Sequence, residues 1–168
     1  MNEFVIREAR AEDALELLGY LKQIGAETDN LTFGAEGLPF TVEEEEKHIR
    51  TVQEDPRSVM FVAVKDGKIV GDASLSSMPR RMKHRAELGV TVVKDQWNQG
   101  IGSALMQKLI SYAKGSGIEV LNLDVRADNA KAIHLYEKFG FQPIGLFPAF
   151  LKIQEKYVDV LLMYLDLR

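Results

Sequence analysis

The chain has 168 residues, 46% of them hydrophobic and 27% charged, with a net charge of −4 and no cysteine. This suits one globular domain over residues 1–168 with a sizeable core. The negative balance argues against nonspecific nucleic-acid binding, and the missing cysteines exclude disulfides, thiolate metal sites and a cysteine nucleophile, which fits a reducing, cytoplasmic compartment.

The stretch Met1-Asn2-Glu3-Phe4-Val5-Ile6-Arg7-Glu8 carries acids and no long apolar run, so it does not read as a secretory signal. No apolar stretch approaches a membrane span, and no membrane partner is expected. Phe4 to Ala9 reads as a short strand. Glu12 and Asp13 follow in a helix first turn, where negative charge is favoured. Ala14, Leu17, Leu18, Leu21 and Ile24 recur at helical spacing as its buried face. Residues 25–40 are glycine-rich and polar and predict an irregular loop. Loops this long inside a compact domain are often functional. Glu27, Asp29 and Glu36 make this one acidic or simply well solvated; Glu27, Asp29 and Phe33 are its candidate substrate contacts.

Thr41 opens a second helix, with Glu44 three residues later as a capping box. Glu43 to Glu46 predict a solvated helix face, and Pro56 stops the helix. Val59 to Val64 and Lys68 to Ser76 read as strands joined by an Asp66-Gly67 hairpin turn. Arg80, Arg81, Lys83 and Arg85, with His84, form either a solvated hairpin tip or an electrostatic contact for an anion.

Ala86 to Val93 is a strand that enters a glycine-bearing loop and then a helix with Ile101, Leu105, Leu109, Ile110 and Ala113 as its core stripe. Gly115 and Gly117 end that helix. Glu119 to Val125 is the next strand, so strand, crossover helix and strand predict a right-handed parallel unit. Asn129 to Phe139 is a helix closed by Gly140, and Phe141 to Leu151 and Lys156 to Leu167 are a last pair of strands. The fold class is therefore α+β: a mixed, mostly antiparallel central sheet with one βαβ unit and flanking helices.

The loop before the third helix makes an anion site. The first amides of a helix have no internal partners, and the helix dipole is positive there. Gly100 and Gly102 lack a Cβ, so a phosphate can approach the backbone from Gln99 to Ser103 closely. A triphosphate loop would need Lys and then Ser or Thr after the last glycine, where Ser103 and Ala104 stand; a dinucleotide fingerprint would need a glycine where Leu105 stands. A plain helix start with glycines for packing is the other reading.

Two segments together resemble the GNAT superfamily of acyl-CoA-dependent N-acetyltransferases. Trp97-Asn98-Gln99-Gly100-Ile101-Gly102 is similar to the family's Arg/Gln-x-x-Gly-x-Gly/Ala motif. Asn129-Ala130-Lys131-Ala132-Ile133-His134-Leu135-Tyr136-Glu137-Lys138-Phe139-Gly140-Phe141 resembles its Asn-x-x-Ala-x-x-x-Tyr-x-x-x-Gly-Phe segment. The element order matches from the first strand to the last hairpin, though the first fifty residues match by pattern only. Trp97 departs from the motif: it stands where the family usually carries Arg or Gln, which removes any side-chain cation at 97. If backbone amides hold the pyrophosphate, that loss is tolerable, and Trp97 is read as a local hydrophobic anchor.

The resemblance implies a GNAT-like sheet with a βαβ acyl-CoA-binding core, acetyl-CoA as co-substrate, a primary amine as acceptor, no metal, and a homodimer. It implies that Val90, Thr91 and Val92 splay from the neighbouring strand and bind the pantetheine arm through their backbone. It also implies that amides among Asn98, Gln99, Gly100, Ile101, Gly102 and Ser103, beside Trp97, take the pyrophosphate. Asn129 and Tyr136, two turns apart, share a helix face. Asn129 would bond the pantetheine or merely cap its helix. Tyr136 would protonate the departing thiolate; a phenol with a reference pKa of about 10 arrives protonated, as an acid must. An amine must lose a proton to attack, and Glu87, sharing a strand face with Gly89 and Thr91, is the leading proton acceptor or else a solvent-facing residue. Glu27 and Asp29 could serve instead, or attract a cationic acceptor. His48, His84 and His134 are too scattered for a metal site. Transfer would be direct, in a ternary complex, to a small amine or polyamine or to a protein N-terminus. A non-catalytic acyl-CoA-binding or regulatory module of this fold is the alternative.

Overall fold

The computed structural model describes residues 3–168; Met1 and Asn2, the start of the acidic N-terminal stretch, lie outside the described residues. In chain order the elements are β1 (Val5–Glu8), α1 (Ala14–Glu27), α2 (Val42–Glu54), β2 (Val59–Lys65), β3 (Lys68–Ser77), β4 (Arg85–Val92), α3 (Ile101–Gly115), β5 (Val120–Arg126), α4 (Ala130–Lys138), β6 (Gln142–Ile153) and β7 (Lys156–Asp166). The strands form one sheet in the order β1-β2-β3-β4-β5-β7-β6. Every neighbouring pair is antiparallel except β4 and β5. This is the mixed α+β sheet that the element order predicts. No helix among the described residues is long and apolar enough to cross a membrane.

Local chemistry accounts for several joints. Asp66 and Gly67 take φ of 51° and 73°, the left-handed pair that lets a two-residue turn follow the twist of its strands. Thr41 Oγ1 accepts the Glu44 amide at 3.1 Å while the Glu44 carboxylate accepts the Thr41 amide at 2.8 Å, so α2 begins on a full capping box.

Two expectations need correction. α1 does not yield to a loop at Gly25 but runs on to Glu27. Gly25 is buried against the Gly34 carbonyl, where a Cβ would collide. The glycine thus lets the following segment close onto the helix rather than ending it. The acidic run of α2 is not all solvated either: Glu45 is buried beside Ile49 on the helix face that covers the sheet.

The sheet separates two layers. Gly71 lies within van der Waals reach of Leu105 and Ile101, so α3 covers the face bearing Ala73, Leu75, Ala86 and Leu88. Leu105, Met106, Leu109, Leu121 and Met163 fill this side. Tyr20 of α1 meets Thr91 on the opposite face. Tyr20 is deeply buried, whereas the predicted core residues Leu18 and Leu21 are only half-buried.

Candidate functional site

β4 and β5 pair over three positions only, Arg85 with Val120, Ala86 with Leu121 and Glu87 with Asn122. Beyond Glu87 the strands part, while β4 stays paired with β3 as far as Val92. The β5-facing backbone groups of Val90, Thr91 and Val92 therefore have no strand partner, which is a ready edge for an extended ligand. The amide of Val93 donates to Val70 on the β3 side. The carbonyl of Val92, in the same peptide unit, must point the other way, and the Trp97 indole N–H donates to it at 2.8 Å. Trp97 is thus a hydrogen-bonded strut of the loop.

The separation opens a cavity of about 530 Å³ between β4, the start of α3, α4 and the segment after α1. It is lined by Val90, Thr91, Val92, Trp97, Asn98, Gly100, Ile101, Gly102, Ser103, Asn129 and Tyr136, so one wall gathers most of the sequence-derived set. Gly100 sits at φ 82°, ψ 2°. A Cβ there would touch nothing, so conformation and not space calls for glycine. The first helical bond of α3 runs from the Ala104 amide to the Gly100 carbonyl. The Ile101, Gly102 and Ser103 amides are left without helical partners at the positive end of a 15-residue helix.

On α4, Asn129 Oδ1 accepts the Ala132 amide at 3.2 Å. It caps the helix, and Asn129 also lines the cavity. Tyr136 packs against Phe141, with ring centroids 6.0 Å apart. Burial alone pushes its hydroxyl up to about 12, so the group is a proton donor across the physiological range.

Glu87 does not line this cavity. It stands at the fork where β4 leaves β5, with 53% of its side chain exposed. Its Oε1 accepts from Asn122 Nδ2 at 3.4 Å, and Arg85 lies 3.9 Å away. Asn122 and Asp124 alternate along β5 onto the same face. Burial and then the charge of Glu87 raise the Asp124 carboxyl. Sequence reading missed Asp124, although its alternation with the buried Leu121, Leu123 and Val125 was visible. The negative charge of Glu87 thus reaches Asp124, and a cation nearby would be attracted by both.

The other candidates are occupied elsewhere. Glu27, helical rather than in the loop, accepts the Lys94 amide at 2.7 Å and the Gln23 side chain at 2.9 Å. It therefore ties α1 to the end of β4. Asp29 is exposed, and its carbonyl accepts from Arg126. Phe33 folds back onto Gly25. The Glu36 carboxylate accepts the Gly34 amide. The Gln99 side chain, together with Gln96, takes the Lys65 ammonium, which pins the loop to β2. The segment after α1 contributes Thr28, Asn30 and Leu31 to the cavity, and α4 contributes Lys131, His134 and Lys138; only His134 among them was weighed beforehand. Arg85 of the basic turn points inward to Asn122, whereas Arg80, Arg81 and Lys83 stay exposed.

Asp72 pairs with Thr91 in the β3–β4 register, so it shares a face with the Tyr20–Thr91 hydrogen bond, 2.9 Å long. Its Oδ1 is buried without a partner among the described residues. Burial, and then the charge of Glu45, raise its carboxyl from 3.8 to about 7. The folded chain then holds a proton that the unfolded chain has lost, so this contribution to stability is full below about pH 4 and fades as pH rises through about 7. Asp72→Asn cannot ionise. Urea melts at pH 5 and 8 should show it flattening that decline and gaining roughly 2 kcal/mol at pH 8, less than the whole shift because an amide must still be buried. An unchanged slope would mean that the carboxyl is hydrated and ionised.

Comparisons with known proteins agree with this geometry. A family model described as "Acetyltransferase (GNAT) family" matches residues 8–141. The L-amino acid N-acetyltransferase AaaT of Escherichia coli K12 is 33% identical over 110 residues, 64% of this chain and 68% of that protein. The N-alpha-acetyltransferase RimI of Mycobacterium tuberculosis is 36% identical over 81 residues, 48% of this chain and 49% of that protein. A crystal structure of a GNAT-family acetyltransferase from Streptococcus pneumoniae superposes with a TM-score of 0.94 at 34% identity, covering 98% of this chain and 99% of that one.

Proposed function

The chain belongs to the acetyltransferase (GNAT) family and is an acetyl-CoA-dependent N-acetyltransferase, and we propose that its acceptor is an α-amine, of a free amino acid or of a protein N-terminus. The observation that carries this reading is the fork, where Glu87 pairs with Asn122 and Asp124 follows two residues on along the same face of β5, beside the unpaired edge of β4, close enough for the charge of Glu87 to raise its carboxyl. An ammonium entering there is attracted by the carboxylates, and Glu87 takes its first proton and passes it to water. The neutral amine attacks the thioester carbonyl. The C–N bond forms, the C–S bond breaks, Tyr136 protonates the departing thiolate, and the second proton that the nitrogen sheds on becoming an amide returns to the Tyr136 oxygen through water. Pantetheine would lie along Val90 to Val92, bonded also by the Asn129 amide, with the pyrophosphate on the amides of Ile101 to Ser103.

The α-amine is favoured over a polyamine for two reasons. Two of the three loop acids that would have drawn a polycation are engaged within the protein, Glu27 on the Lys94 amide and Glu36 on the Gly34 amide, which leaves the single exposed carboxylate of Asp29. Among the relatives, one is named for L-amino acids and one for an alanine of ribosomal protein bS18.

Release of CoA thiol from acetyl-CoA should be measured with free L-amino acids, short peptides with free N-termini, and polyamines. Release is expected with one of the first two classes. Glu87→Gln should lower kcat/KM about 30-fold with acetyl-CoA binding unchanged. Release with polyamines alone would overturn the α-amine assignment, and an unaltered kcat/KM in Glu87→Gln would remove that residue from the proton step.

A further inference from the structure

Trp97 replaces the cation or amide that the glycine-loop motif usually carries, and the structure shows what stands in its stead. Lys131 Nζ lies 4.8 Å from the centre of the Trp97 ring, and both side chains line the cavity beside the α3 amides. A ring face attracts an ammonium without using any of its three N–H donors, so the lysine is positioned yet still open to an anion. None of the six ion pairs among the described residues uses Lys131. The other lysine over an aromatic ring, Lys152 above Tyr157, is by contrast paired with Glu155 at 3.1 Å. Lys131 also occupies the first turn of α4, which carries no acid. A cation at that end is disfavoured by the helix dipole, so within the fold only the Trp97 ring favours an ammonium there.

We infer that Lys131, held over Trp97, is a phosphate-binding residue that contacts the pyrophosphate of CoA from the α4 side and replaces the side chain missing at position 97. This rests on the acetyl-CoA reading above and adds to it a second wall for the pyrophosphate, opposite the amides of Ile101 to Ser103. Trp97 is a positioning residue here: its indole N–H is fixed on the Val92 carbonyl, which sets the ring under the ammonium.

The test is calorimetric binding of CoA, dephospho-CoA and pantetheine to the wild type and to Lys131→Met. Weakening of about tenfold is expected for CoA and dephospho-CoA, which both carry the pyrophosphate, with pantetheine unchanged. The salt dependence of CoA binding should become shallower, and Lys131→Arg should recover most of the affinity. An unchanged Kd for CoA would overturn the inference, and so would an equal loss for pantetheine, which would mark a packing effect. A loss for CoA that spares dephospho-CoA would move the lysine to the 3′-phosphate and overturn the pyrophosphate assignment. Tight CoA binding by the wild type keeps the cofactor reading intact whatever Lys131 does. A wild type that binds no CoA would overturn that reading and this inference with it.

Discussion

Tyr136→Phe should lower kcat by about a hundredfold to a thousandfold while CoA binding stays within about twofold of normal. The substitution removes one oxygen and keeps the ring. The ring is 8% exposed and rests on Phe141, so folding should be untouched. What is lost is the hydroxyl of the only tyrosine that lines the cavity among the described residues. A thiolate leaving without a proton is a poorer leaving group, so the deficit belongs to turnover rather than to binding. Because burial holds this hydroxyl near 12, the wild type should keep its acid throughout pH 6 to 10, and any alkaline fall in that range must come from another group. Steady-state thiol release combined with calorimetry decides the matter. Unimpaired turnover would remove Tyr136 from the acid role.

Gly102→Glu should weaken CoA binding by at least about a hundredfold, with the thermal midpoint unchanged or slightly raised. A Cβ at 102 would sit 3.5 Å from Leu135 Cδ2, an ordinary contact, so the backbone tolerates a side chain. A carboxylate in the first turn of α3 even suits the helix dipole. It also occupies the space in front of the unpaired amides and repels phosphate. Gly102→Ala is the control, with binding expected within a few-fold of the wild type. Calorimetry and thermal melts together separate the site from the fold, and intact CoA binding by a folded Gly102→Glu protein would displace the pyrophosphate from this loop.

Much of the architecture was legible in the sequence because it is written locally. The Asp66-Gly67 turn, the Thr41 to Glu44 box and the glycines before α3 each depend on backbone groups within a few residues. The cavity wall followed from those glycines and from the spacing of Asn129 and Tyr136. Burial across the sheet was not legible. Glu45 sits in a run of four glutamates, and only the packing of α2 on the sheet selects which of them is covered. Asp72 looked like a strand residue near a turn, yet α1 and α2 close over it. Gly25 looked like a helix stop until the chain folded back on it. Asp124 was hidden for a related reason: its meaning depends on Glu87, which is distant in sequence and whose charge reaches it only once β4 and β5 pair.

The three pairs that join β4 to β5 divide the sheet into a four-stranded part and a three-stranded part with a seam between them. In an empty molecule this seam is the weakest backbone connection of the sheet, and amide exchange and fluctuation should concentrate beside it. A cofactor lying along the open edge closes it as a missing strand would. Resistance to unfolding then depends on how much acetyl-CoA is available, rising by about 1.4 kcal/mol for each tenfold excess over Kd. On the proposed placement, the gap that would admit the reactant thus makes the enzyme's persistence a measure of its supply.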